Sequence, residues 1–169
     1  PELSVAFSRQ RTPDQLVKES AIDNAKRLNV QLVTHCFVTG INVQAKMIRT
    51  TRGMFSYHKL ILAQGAQSFL PAPFSPKSCW RINNLNRWKA LSNRLNSEAS
   101  IALVGAGMIG CELAEDLASS GHRVHLIERN AYPLSTLLPT CAGQKLVGEQ
   151  EKIGIQFYGN TQVKRIEEK

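Results

Sequence analysis

Apolar positions along the chain switch between two spacings, and the switches mark out its elements. Leu16, Val17, Ala21, Ala25 and Leu28 recur at roughly the period of one helix face. Thr12-Pro13-Asp14-Gln15 supplies the start of that helix, with a capping threonine, a proline in the first turn and a glutamine placed to complete a capping box. Asn29 ends it. Short apolar runs follow and predict strands: residues 30–35, then 37–43 and 47–51 as a hairpin turning through 42–46, and, after a turn at Arg52-Gly53, residues 57–63. Pro71, Pro73 and Pro76, with Ser75 and Ser78 between them, make an extended connector that marks a domain boundary. Residues 88–95 return to a helical period.

Residues 101–128, IALVGAGMIGCELAEDLASSGHRVHLIE, carry the clearest pattern. The continuous apolar run 101–104 is that of a parallel strand buried on both faces. Leu113, Ala114 and Leu117 give the following helix an apolar stripe, Gly121 supplies its stop, and residues 124–127 form a second strand. Residues 132–139 read as a loop, 142–152 as a helix stopped by Gly154, 155–158 as a third strand and 162–166 as one more. Strands alternating with helices in this way predict an α/β fold around a parallel sheet.

The chemistry of the chain starts at the turn between the first of these strands and its helix. Gly105, Gly107 and Gly110 fit a G-x-G-x-x-G spacing, with Ala106, Met108 and Ile109 between them. In a dinucleotide site the three glycines turn the chain, let backbone approach a pyrophosphate, and pack helix against sheet. The helix N-terminus beyond them binds an anion through unpaired N–H groups and the positive end of its dipole. A glycine turn that merely joins strand to helix is the other reading. Glu128, 23 residues beyond Gly105, stands where an acid accepts hydrogen bonds from an adenosine ribose, and its charge favours NAD over NADP. Arg129 admits two readings, a partner for a 2′-phosphate or a solvated side chain at a strand end.

With 169 residues, 43% of them hydrophobic, the chain has enough apolar material for a real core, which excludes a disordered tail. No apolar stretch is long enough to span a bilayer, and the opening PELSVAFSRQRTPD lacks the apolar run of a secretory signal. Cys36, Cys79, Cys111 and Cys141 form no C-x-x-C pair, so they read as free buried thiols of a reducing cytoplasm, and with four scattered histidines no metal centre is expected. Charge is uneven. Residues 1–100 hold fourteen Lys and Arg against five Asp and Glu, +9, while residues 101–169 carry −1. A basic half of this kind is a solvated surface, a recruiting face for an acidic protein or a nucleic-acid site; single, dispersed Lys and Arg argue against the last.

Taken together, YHKLILAQGAQSFLP, a proline-rich connector, the 101–128 segment and PLSTLLP resemble the pyridine-nucleotide-dependent flavoprotein reductases, and the opening PELSVAFSRQRTPDQL, the THCFVTGI segment and the GAGMIGCELAEDL helix resemble, among them, those that serve rubredoxin. The resemblance covers essentially the whole chain. It implies a portion of an FAD-binding domain over residues 1–73, a connector over 74–97 and a partial Rossmann-like NAD-binding domain over 98–169. It further implies an internal segment of a longer enzyme, whose first FAD glycine motif and flavin-facing lysine precede Pro1 and whose acidic FAD motif follows Lys169. Such enzymes pass a hydride from NADH to FAD and then single electrons to a small acidic iron protein such as rubredoxin, with no part for nucleic acid or membrane. Carried over by position, residues 105–110 and Glu128 hold NAD, the Val38 backbone meets the FAD adenine, and Ala63-Gln64-Gly65 lies near the flavin, Gln64 standing where the family has threonine. Glu112 matches an acid that reaches flavin and nicotinamide; as a bare residue it is also simply an acid early in a helix, favoured by the dipole. A non-catalytic dinucleotide-binding or redox-sensing module is the rival from another class.

Overall fold

A computed structural model of the chain describes residues 2–65, 69–95 and 98–167. Its contacts divide into two compact units, one gathering residues 1–16 and 68–169, the other residues 17–67. In chain order the helices and strands begin with α1 (Glu2–Ser8), α2 (Pro13–Leu16) and α3 (Ala21–Arg27), followed by β1 (Val38–Asn42), β2 (Met47–Thr50) and β3 (Gly53–Ser56). Then come α4 (Leu85–Ser92), β4 (Ser100–Val104), α5 (Met108–Ser119), β5 (Arg123–Ile127), α6 (Thr140–Lys152) and β6 (Ile155–Tyr158).

The single helix expected up to Asn29 is two. The capping box forms as expected, with Thr12 N–H donating to Gln15 Oε1 at 2.9 Å and Gln15 N–H to Thr12 Oγ1 at 3.4 Å. Ser20, however, is extended (φ −71°, ψ 154°) and accepts the N–H of Asp23 at 3.1 Å, so it restarts a helix where one was expected to continue. Asn29, at φ 52°, stops the second one as predicted.

In the 17–67 unit, β1, β2 and β3 form an antiparallel meander, with Val38 opposite Thr50 and Thr50 opposite Gly53. The hairpin of β1 and β2 matches the sequence reading; the third strand was hidden in what looked like only a turn. Residues 30–35 and 57–63, both expected as strands, join no ladder among the described residues. A strand exists only where a neighbour takes up its N–H and C=O groups, and their apolar side chains lie open, Ile61 being 86% exposed.

The other unit is built on the parallel sheet β4-β5-β6, with Ile101 opposite Val124 and Val124 opposite Ile155. Ala114 and Leu117 of α5 meet Val124, Leu126 and Ile155 in its core. α1, too short to announce itself by periodicity, packs along α5, burying Ala6 and Phe7, and the Phe7 ring lies 5.3 Å from that of Trp88 on α4. Ser8 donates to Asp116 across this contact at 2.5 Å. The continuous apolar run 101–104 predicted burial on both faces; among the described residues only one is covered, since Ile101 and Leu103 are half-buried while Val104 is 49% exposed. Residues 162–166 add no strand.

Candidate dinucleotide site

The site lies where β4 ends. Gly105 still donates its N–H to the Ile127 carbonyl at 2.8 Å, then turns the chain at φ +102°, a conformation open to glycine and strained for any other residue. Ala106 is 1% exposed. Gly107 caps α5 without a side chain to bond the first-turn N–H groups, which leaves a twelve-residue helix with its positive end unneutralised. A Cβ on Gly110 would overlap the Gly105 carbonyl oxygen, so the helix can lie this close to the turn only with glycine there. A Cβ on Gly107 would meet nothing within 4 Å. The first and third glycines are therefore demanded by the protein itself. The second is not.

Glu128 closes the other side. Its Oε2 accepts the N–H of buried Ala106 at 2.7 Å and its Oε1 that of half-buried Asn130 at 3.0 Å. Each carboxylate oxygen has a second lone pair, so both can still accept from a hydroxyl. The backbone of Glu128 continues the sheet edge, donating to the Tyr158 carbonyl and accepting from Thr161 N–H, each at 2.9 Å. Turn, helix end and acid thus meet outside the carboxyl ends of parallel strands, where open α/β sheets bind ligands.

Met108 and Ile109 are exposed on the first turn of α5, Glu112 is exposed one turn further on, and Arg129 is exposed beside the acid. Val38 and Ala63-Gln64-Gly65 belong to the other unit: Val38 opens β1, and the triplet is exposed outside any ladder, with Gly65 at φ +72°. Ala66, which completes the turn expected there, lies outside the described residues. Two further groups carry no signature in the sequence. Leu134, in the loop after β5, donates its N–H to the Ala106 carbonyl at 2.8 Å, and Asn130 supplies the second N–H to Glu128.

The four cysteines are free, but only Cys111 is buried; Cys36 and Cys79 are half-buried and Cys141 is exposed, because Cys141 falls on the outer side of α6. Cys111 Sγ donates to the Ala106 carbonyl at 3.5 Å, and burial pushes its thiol up, away from the reactive thiolate. No helix among the described residues is long and apolar enough to cross a membrane.

Known proteins are similar to this chain over most of its length. The nitric oxide reductase FlRd-NAD(+) reductase of Aliivibrio fischeri is 36% identical over 142 residues, 82% of this chain and 37% of the relative. Its counterpart in Aeromonas salmonicida is 33% identical over 167 residues, 99% of this chain and 43% of the relative. The chain thus spans less than half the length of the curated relatives it matches. Two solved structures share the fold. The covalent putidaredoxin reductase-putidaredoxin complex matches with a TM-score of 0.85 at 23% identity over 99% of this chain and 42% of that one. The NADH:rubredoxin oxidoreductase of Clostridium acetobutylicum matches at 0.76 and 23%, over 97% and 43%. A glycine turn and acid at the carboxyl end of a parallel sheet, together with a match of residues 1–169 to the model for pyridine nucleotide-disulphide oxidoreductases, place the chain in that family.

Proposed function

We propose that the chain is part of a cytoplasmic FAD-dependent NADH oxidoreductase that passes electrons through flavin to rubredoxin or a similar small iron carrier. The observation that carries the reading is Gly107: a position with open space around it and an uncapped helix end behind it, as a pyrophosphate requires. The first-turn N–H groups of α5 hold the pyrophosphate and Glu128 the adenosine ribose, its charge rejecting a 2′-phosphate that exposed Arg129 alone offsets only weakly. Glu112, Val38 and Ala63-Gln64-Gly65 are assigned to the flavin side by position in the family. Bound nicotinamide and flavin would supply the hydride chemistry, and the residues of this chain bind and orient the dinucleotide. Relatives named for FlRd-NAD(+) reduction support an electron-carrier acceptor.

The test is spectroscopic. The complete protein is expected to be yellow with bound flavin and to bleach on anaerobic addition of NADH; a protein that binds NADH but carries no flavin would be a dinucleotide-binding module instead.

The basic half supports an acidic carrier. Arg9, Lys77, Arg87, Lys89 and Arg94 are exposed in the unit built on the parallel sheet, and residues 1–100 together carry +9. Steering by such a field raises encounter rates by roughly ten- to a thousandfold, and screening shortens from about 30 Å to about 3 Å between 0.01 and 1 M salt. Carrier reduction followed by stopped flow should slow at least tenfold over that range. A flat profile would leave these residues as ordinary solvated surface.

A further inference from the structure

We propose that the loop between β5 and α6 is a clamp that holds the glycine turn in its anion-accepting shape before any cofactor arrives, with Tyr132 and Gly143 as its positioning residues. The proposal rests on the reading of the turn as an NADH site and says what presets that site.

Ala106 lies at the centre of the turn and its backbone is gripped on both sides. Its N–H is held by Glu128, and its carbonyl by Leu134 N–H at 2.8 Å and, more weakly, by the Cys111 thiol. These bonds fix the two peptide units on either side of the Ala106 Cα, and hence the direction in which the free N–H groups of α5 face. Leu134 makes its bond at φ +54°, a left-handed conformation that a leucine does not hold unaided. Something must hold it.

The loop is tied down along its length. Asn160 N–H donates to the Asn130 carbonyl at 2.9 Å, Pro133 is among the most deeply buried side chains, and Thr140 donates to the Tyr132 hydroxyl at 3.2 Å. The decisive contact is the Tyr132 ring, which lies flat enough on α6 that a Cβ on buried Gly143 would overlap it. Two residues on from that ring, the chain reaches Leu134. A helix-interior glycine costs stability relative to alanine; here the missing Cβ is the space the ring occupies. Apparent affinity falls with the fraction of protein in the competent conformation, so loosening the ring must weaken binding without touching a ligand contact.

The experiment uses the complete protein and two readouts, the equilibrium Kd for NADH and hydrogen exchange of residues 104–111 in the cofactor-free form. Tyr132→Ala, which removes the ring without crowding the helix, should raise the Kd about tenfold, speed exchange in 104–111 and leave exchange in 38–56 unchanged. The rate of flavin reduction at saturating NADH should stay within about twofold, since no reacting group has moved. Tyr132→Phe, which keeps the ring, should behave as wild type. Gly143→Ala should mimic Tyr132→Ala, and should add nothing in a Tyr132→Ala background, where the ring it collides with is gone. Unchanged exchange of 104–111 in Tyr132→Ala, or a raised Kd without faster exchange there, overturns the clamp. Wild-type protein that binds no NADH would sink the cofactor reading alone, because the exchange comparison still decides whether the loop holds the turn.

Discussion

Gly107→Val is expected to abolish measurable NADH binding in the complete protein while lowering its melting temperature only slightly. Nothing in the structure occupies the space a Gly107 side chain would enter, and its backbone (φ −75°, ψ −176°) suits any residue. The cost to the fold is that of a poorer helix cap, about 1 kcal/mol, or about 2–4 °C for a folding unit of about 150–250 residues. The cost to the ligand is far larger. An isopropyl group over the first turn of α5 bars the pyrophosphate from N–H groups whose charge-assisted bonds are worth about 1.5–3 kcal/mol each, and losing two of them weakens binding at least about a hundredfold. Calorimetric titration of NADH, paired with a melting curve, checks both halves. Retained affinity in a stable variant would return the motif to the status of a structural turn. Gly110→Val cannot serve for this purpose, since its side chain would collide with the Gly105 carbonyl and unseat the helix.

Glu128→Ala is expected to injure both cofactor and fold. Removing the carboxylate leaves the buried N–H of Ala106 without an acceptor, a loss of about 1–3 kcal/mol, which lowers the melting temperature by several degrees. It also removes the ribose acceptor, so NADH should bind about ten- to a hundredfold more weakly and the preference over NADPH should narrow. Glu128→Gln should fall between, because an amide keeps one acceptor oxygen while its NH2 faces one of two N–H groups. Affinities for both nucleotides unchanged in the alanine variant would remove Glu128 from the site.

The half of this chain that carries the glycine turn was largely legible in its sequence because each of its parts is a local rule. Strand, glycine turn, helix stripe, Gly121 stop and terminal acid lie within 28 consecutive residues, and each has its own periodic or positional signature. The grip on Ala106 was not legible, since Leu134 and Asn130 act through backbone N–H groups, which every residue but proline has. Residues 30–35 and 57–63 failed for a different reason. Their composition is that of strands, but composition cannot supply the neighbour that turns an apolar run into a paired one. Ser20 shows the converse, a local rule present in the sequence and overridden in the reading by an apolar period that ran past it.

The packing of α1 on α5 sets a timetable for the chain. The Ser8–Asp116 bond joins residues 108 apart, so during synthesis α1 leaves the ribosome long before the helix that receives it. At about 5–20 residues per second, the wait lasts on the order of 5–20 s, through which Ala6 and Phe7 lack the α5 face they pack against. α5 is thus the berth for a segment made 108 residues earlier, and whatever shelters that segment in the interval governs how much of the newborn chain reaches its folded form.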